Sequence, residues 1–274
     1  LQAIRPVVPS VALQSRRDFP QVEARLWPDR APPARVYRRL TRRAFAPGDV
    51  RWVRALRPRV LHSHFGYVAI GDRDLAEQAD LPWLVGFYGA DVYMHGRVPA
   101  WRERYGRLFP RMTRVLALGP AMAEALEEMG CPREKIVIHP LGVATDGVPF
   151  AERTCLPREP LQVLFAGTFR EKKGLIYLME AAGHLLQRRV PFHLHVIASP
   201  GARPDDRKVQ AEVEEAVGRL GLEDHVTLEP FIPFADLMQL ALRCHVFAAP
   251  SVRAEDGDAE GTPFVIQQMM LSGM

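Results

Sequence analysis

LQVLFAGTFREKKGLIYLMEAAGHLLQRRVPFHLHVIAS, residues 161–199, decides the fold. Residues 161–166 form an apolar run of the length of a buried strand, 175–188 carry a helical pattern, and 193–198 read as a second strand. Strand, helix, strand is the βαβ unit of a parallel sheet. The alternation continues C-terminally with a helix over 209–220, a strand over 226–228, a helix over 236–242 and a strand over 246–249. Towards the N-terminus, strands are expected at 60–63, 83–87, 115–118 and 136–138. Helices are expected near 70–79, 100–110 and 120–129. No strand is recognisable before residue 59.

Residues 140–160, PLGVATDGVPFAERTCLPREP, are rich in proline, glycine and charge and have no hydrophobic period, which marks a linker. The expected division is an N-terminal lobe over 1–150 and a C-terminal lobe over 151–274, in a chain whose 274 residues suffice for two small cores. The fold class is α/β, with two Rossmann-like lobes facing a cleft, because parallel sheets place ligands outside the carboxyl ends of their strands. The sequence opens on Leu1 rather than methionine and stops at Met274 just after an apolar stretch, so it is expected to be incomplete at both ends.

With 47% apolar and 25% charged residues, the composition is that of an ordinary soluble globular protein. No run approaches the roughly 20 apolar residues of a membrane-spanning helix, and no signal-peptide layout is present, so a cytoplasmic protein is expected. Cys131, Cys155 and Cys244 fit neither a disulfide framework nor the close pairs of a zinc site. The net charge of +4 is uneven: residues 1–58 hold thirteen arginines against four carboxylates. Such a segment suits an anionic membrane surface, at about 1 kcal/mol per cation near the headgroups, and would place the protein peripherally at the inner face of the membrane. Arginine standing in for lysine on solvated helices is the plainer reading of the same count. Nucleic acid is not an expected partner, since the basic stretch has few aromatics and no reader motif.

Three segments carry chemistry. AGTFREKKG, residues 166–174, turns from a strand into a helix, where free backbone amides gather. Arg170, Lys172 and Lys173 add cations beside them, which suits a diphosphate; a solvated loop of mixed charge is the competing reading. EDGDAEGTPFVIQQMM, residues 255–270, begins acidic and glycine-bearing and ends as an apolar stretch expected to be a buried helix from Phe264. Pro263 fits the first position of that helix, and Gly261, Thr262, Phe264 and Val265 lie at its start, with the Glu260 carboxylate just outside. An ordinary acidic cap would explain Glu260 alone. In the N-terminal lobe, HSHFG (62–66) and GFYGAD (86–91) both end strands, so His64, Tyr88 and Asp91 converge on one edge, while His62 reads as structural. No G-x-G-x-x-G or G-x-x-x-x-G-K-[ST] fingerprint occurs, which argues against a nicotinamide-dependent oxidoreductase.

Together these segments resemble glycosyltransferase family four, retaining enzymes of the GT-B fold, over roughly residues 57–274. The resemblance rests on PSVRAEDGDAEGTPFVI (250–266), RPRVLHSHFG (57–66), FYGAD (87–91), KIVIHPLGV (135–143) and KKG (172–174), in that family's order and spacing. It implies transfer of a sugar from a UDP- or GDP-sugar donor, held by the C-terminal lobe, to a glycan or lipid-linked acceptor, held by the N-terminal lobe. Configuration would be retained, and neither a metal nor a cofactor is implied. Glu260, Lys173, Arg170, Tyr88 and Asp91 are the expected catalytic groups. Gly167, Thr168, Gly261, Thr262, Pro263, Phe264, Val265, Gln268, His64, Gly66 and Gly89 are the expected substrate-binding positions.

The chain departs from the family pattern at three places. Thr168 stands where arginine is usual, Gln268 where a second glutamate usually holds the ribose, and Tyr88 where histidine is common. A non-catalytic binding or scaffold module on the same fold is the alternative that these departures carry.

Overall fold

The computed structural model describes residues 11–14, 23–26, 45, 47–145, 147–156 and 159–274. Most of the arginine-rich segment, on which the membrane expectation rests, lies outside the described residues. The chain forms two compact units that divide between Pro140 and Leu141.

The N-terminal unit contains two short strands where none was expected. β1 (Val11–Gln14) and β2 (Glu23–Leu26) pair in parallel, Val11 opposite Glu23. A second sheet holds β3 (Leu61–His64), β4 (Trp83–Gly86), β5 (Arg114–Ala117) and β6 (Ile136–Ile138), all parallel and in sequence order. Helices Gly66–Ala79, Pro99–Leu108 and Pro120–Glu128 connect them. Pro99 and Pro120 each open their helix, where a missing N–H costs nothing. Trp83, Val85, Phe87, Tyr105, Phe109 and Val115 fill the core. The buried Trp83 indole donates to Ser63 Oγ at 2.9 Å, and that hydroxyl donates to Asp72 at 2.7 Å, so the polar end of the ring is satisfied inside. A further helix, Pro47–Ala55, packs Val50 and Val53 against Leu75 and Ala79 of the Gly66–Ala79 helix.

The C-terminal unit is a parallel sheet in the order β10-β7-β8-β9, where β7 is Leu161–Thr168, β8 Phe192–Ser199, β9 Val226–Glu229 and β10 Val246–Phe247. From β7 the chain builds outward through β8 and β9, then returns to pair on the other side of β7. Right-handed crossovers put helices made in opposite directions on opposite faces. Accordingly, Leu175–Gln187 and Pro204–Leu220 pack with Val163, Phe165, Leu194 and Val196 on one face. Phe234–Ala241 and Phe264–Leu271 cover Leu164 and Ile197 on the other. Alternate residues of β7 thus serve two separate cores.

The Phe264–Leu271 helix was expected to be buried, but it packs on one side only. Val265 and Met269, four apart, meet the core, while Phe264 is 46% exposed and Met270 67%. Four residues apart is one helical face, and Phe264 and Met270 lie off it, on the exposed side.

The reversal of strand order creates a gap between the carboxyl ends of β7 and β10, the position at which open α/β sheets bind ligands. Gly174 sits in that gap with φ 71°, and a Cβ there would lie 1.8 Å from the Pro250 carbonyl oxygen. We expect Gly174→Ala to cost at least about 2 kcal/mol in urea unfolding, from left-handed strain plus the backbone collision. Unchanged stability would show that the two loops do not approach this closely.

Candidate active site

The C-terminal unit gathers its functional side chains at this switch point. β7 ends at Thr168, and a 3-10 turn over Glu171–Lys173 leads through Gly174 into the Leu175–Gln187 helix. The segment after β10 runs alongside: Val252 N donates to the Lys172 carbonyl at 2.9 Å, and Glu255 N to the Glu171 carboxylate at 2.9 Å. No side chain caps the start of the Leu175–Gln187 helix or of the Phe264–Leu271 helix. Both therefore present helix-start amides, with their positive dipole ends, around one place.

The cations expected to meet a diphosphate are already paired with carboxylates. Lys173 Nζ lies 3.1 Å from Glu260 Oε1, and Lys172 Nζ lies 3.1 Å from Asp258 Oδ1 and 3.4 Å from Glu260 Oε1. Arg170 Nε is 3.5 Å from Asp206 Oδ1, and its Nη1 is 3.9 Å from Asp258 Oδ2. Arg203 Nη1 adds contacts of 3.1 Å to Asp256 and 3.6 Å to Asp258. Four cations thus face four carboxylates. Glu260 Oε1 is buried, and its polar contacts are the two lysine ammoniums, neither of which meets it with hydrogen-bond geometry. Lys173 meets Glu260 alone among these carboxylates, whereas Lys172 and Arg170 are each held twice.

Asp258, Asp206 and Arg203 were not anticipated. Asp258 and Asp206 are each 1% exposed. The signal for Asp258 was present: four acids within residues 255–260 require counter-charges nearby. Asp206 is the third residue of the Pro204–Leu220 helix and reaches back to accept from Arg203 N at 3.2 Å, satisfying one amide at the helix start. The Gly201 position leaves it room, since a Cβ there would lie 2.4 Å from Asp206 Oδ2. Of the remaining expected positions, Gly167 and Thr168 end β7, and Gly261, Thr262 and Pro263 lead from Glu260 into the Phe264–Leu271 helix with Val265 and Gln268 on it.

In the N-terminal unit, the loops after β3 and β4 are joined by one carboxylate. Asp91 is fully buried; its Oδ2 accepts from Gly66 N at 3.0 Å and its Oδ1 from Tyr88 N at 3.0 Å and Gly89 N at 2.9 Å. Burial raises its pKa, while these amide bonds hold it down. Gly89 has φ 143° and ψ −80°, open only to glycine, and a Cβ on Gly66 would strike the Phe87 ring at 2.3 Å. This geometry presents His64 Nδ1 and the Tyr88 hydroxyl 2.6 Å apart. Burial lowers the His64 pKa and raises that of Tyr88, with Asp91 adding to the latter shift, so both are neutral near pH 7. Asp91, expected among the catalytic groups, has the place of a residue that positions the other two.

Cys155, Glu159 and His245 bring possible metal-ligating atoms within 4.8 Å of one another. However, His245 Nδ1 accepts the Gln162 N–H at 2.9 Å, which leaves the proton of a neutral ring on Nε2, the nitrogen 3.9 Å from Glu159. That ring offers a metal no lone pair.

The family profile described as Glycosyl transferase 4-like domain matches residues 6–142, and the one described as Glycosyl transferases group 1 matches residues 160–274. The chain belongs to the glycosyltransferase 4-like family. A protein of Escherichia coli (strain K12) named as a colanic acid biosynthesis glycosyltransferase, WcaL, is 30% identical over 78% of this chain and 52% of its own length. The amylovoran biosynthesis glycosyltransferase AmsK of Erwinia amylovora is 29% identical over 77% of this chain and 50% of its own. The chain thus spans about half the length of these relatives. Among solved structures, Anabaena Alr3699/HepE in complex with UDP-glucose superposes with a TM-score of 0.67 at 17% identity, over 92% of this chain and 66% of that one. This likeness gives the chain a GT-B fold. Among the described residues, no helix is long and apolar enough to cross a membrane.

Asp258 offers the test of how this site arranges its charges. We expect Asp258→Ala to destabilise the chain by about 3 kcal/mol, the lower end of the cost of stranding buried cations, because Lys172 and Arg203 keep some access to water. Chemical denaturation measures it. A loss below about 0.5 kcal/mol would mark Asp258 as an ordinary surface acid.

Proposed function

We propose that the parent protein transfers a sugar from a UDP- or GDP-sugar to a glycan or lipid-linked acceptor, with retained configuration, in polysaccharide or glycolipid biosynthesis. One observation carries the reading: a buried Glu260 oxygen, ion-paired with Lys173 and Lys172, stands beside two uncapped helix starts at the strand-order switch. Lys173, Arg170 and the amides around Phe264 and Val265 take the diphosphate; Glu260 accepts from sugar hydroxyls; Gln268 replaces the usual carboxylate towards the ribose. HepE, named in complex with UDP-glucose, supports the donor class, and WcaL and AmsK, named for colanic acid and amylovoran, support the acceptor class.

In this reading the leaving diphosphate is stabilised electrostatically, usually the largest single contribution to catalysis. The acceptor hydroxyl attacks C1 from the face the diphosphate leaves; its oxygen bonds to C1 as the C1–O bond to phosphate breaks, and a phosphate oxygen takes the proton. No enzyme nucleophile, metal or cofactor is needed. Asp91 holds His64 and Tyr88 at the acceptor side. The protein works in the cytoplasm, and the arginines of residues 1–58 hold it to the anionic inner face of the membrane.

We expect Lys173→Ala to weaken UDP or GDP binding by about 1.5 to 3 kcal/mol while leaving uridine or guanosine binding unchanged, because the lysine meets phosphate only. Calorimetric titration decides it; equal weakening of nucleoside and nucleoside diphosphate would remove this role. Neither diphosphate binding the parent would favour the scaffold alternative.

We expect Glu260→Gln to lower transfer at least about tenfold, or roughly 1.4 kcal/mol in the barrier. The same substitution releases Lys173 from its carboxylate, so the nucleoside diphosphate should bind as tightly as before or more so. Parental transfer rates in that variant would make Glu260 a helix cap only.

A further inference from the structure

The loop after β3 carries a feature that the donor chemistry does not use. Phe65 has φ 74° and ψ 135°, a region that bulky side chains rarely enter. The backbone around it is over-determined: Phe65 N donates to Gly86 O at 2.9 Å, and its own carbonyl accepts from Val68 N and Ala69 N at 3.1 Å. Strain of this kind persists where the surroundings enforce it and gathers at ligand-binding positions. Here its effect is to leave a phenyl ring 37% exposed beside Tyr67, which is 40% exposed.

These rings belong to a continuous row. Phe65 lies 4.7 Å from Tyr88 and stacks on Tyr67 at 5.2 Å, with 19° between the planes. Tyr67 meets His95 edge-on at 5.6 Å, and His95 stacks on Trp101 at 4.3 Å with a tilt of 7°. The inner end of the row is the neutral His64–Tyr88 pair, which offers both a donor and an acceptor. Partly exposed aromatic residues bordered by such a pair match a pyranose, whose C–H face is apolar and whose hydroxyls project from the edge. A prenyl or acyl chain has no use for the polar pair.

We propose that Phe65 and Tyr67 form a stacking platform for a saccharide unit of the acceptor, next to His64 and Tyr88. The assignment rests on the glycosyltransferase reading and adds the chemistry of the acceptor: the group received at this edge is a sugar ring rather than a lipid chain.

Saturation-transfer NMR on the intact parent protein, with methyl glycosides of glucose, galactose, mannose and fucose as probes, tests it. At least one glycoside should take up saturation at its ring C–H protons, and Tyr67→Ala and Phe65→Gly should each weaken its binding at least about tenfold with UDP and GDP binding unchanged. Phe65→Gly should also keep or raise Tm, because glycine adopts the positive φ without strain; a purely structural phenylalanine would lower it. The platform is overturned if glycosides bind both variants as they bind the parent. It is equally overturned if a parent that binds UDP or GDP binds no glycoside, or if farnesyl phosphate, not a glycoside, loses binding in the two variants. Glycoside binding that depends on these rings, in a parent that binds neither nucleoside diphosphate, would keep the platform and sink the transferase reading.

Discussion

Lys172 and Asp258 form the contact around which the C-terminal unit's site is arranged. The loops after β7 and β10 leave the sheet side by side at the strand-order reversal, where no ladder joins them. The backbone bond from Val252 to Lys172 brings them together, and the 3.1 Å pair from Lys172 to the buried Asp258 carboxylate fixes how far the acidic segment folds back. Arg170 and Arg203 close on the same carboxylate, and Glu260 lies two residues beyond it. A buried ion pair adds little net stability, because desolvation offsets most of the attraction. What it supplies here is position: breaking it strands two or three cations, so alternative placements of the loop are costly.

The N-terminal unit solves the same problem without a cation. Asp91 meets three backbone amides, and the two loops it joins need glycine at Gly66 and Gly89 for close approach and an unusual φ. Burial keeps the rings of His64 and Tyr88 uncharged, with the Asp91 charge adding to the effect on Tyr88. One edge is thereby charged and the other neutral and aromatic, which on the proposed function suits phosphate at the first and hydroxyls and sugar faces at the second.

β4, β7 and β8 were legible because parallel strands buried on both faces read as apolar runs. The segment 161–199 yielded β7, the Leu175–Gln187 helix and β8 to within two residues at each end. β10 came out shorter than expected, Val246–Phe247 instead of 246–249, although Ala248 N still donates to Leu164 O at 2.8 Å; beyond it the chain turns away through Pro250. The Pro47–Ala55 helix escaped notice because arginines interrupt the spacing of Val50 and Val53. At the site, residue types that bind phosphate could be read from AGTFREKKG, but their pairing could not. Pairing depends on which carboxylates a return crossover some eighty residues later brings back, and Asp258 is such a residue.

The two adjacent lysines show why that pairing matters. In sequence, Lys172 and Lys173 are interchangeable. In a 3-10 turn, with about three residues per turn, neighbours leave the backbone some 120° apart; both ammoniums still reach Glu260 Oε1, but Lys172 also meets Asp258. Lys172 turns towards Asp258 and the Ala259 carbonyl, and is occupied in holding the loop. Lys173 reaches Glu260, whose oxygen is shared with Lys172 and makes no hydrogen bond. Of the cations here, Lys173 gives up least on turning to a phosphate: the carboxylate it leaves keeps a lysine at 3.4 Å, and phosphate returns a charge-assisted bond of equal or greater strength. On the proposed function, the protein keeps one lysine fixed and one exchangeable, a division set by their different carboxylate partners and not by the identity of either residue.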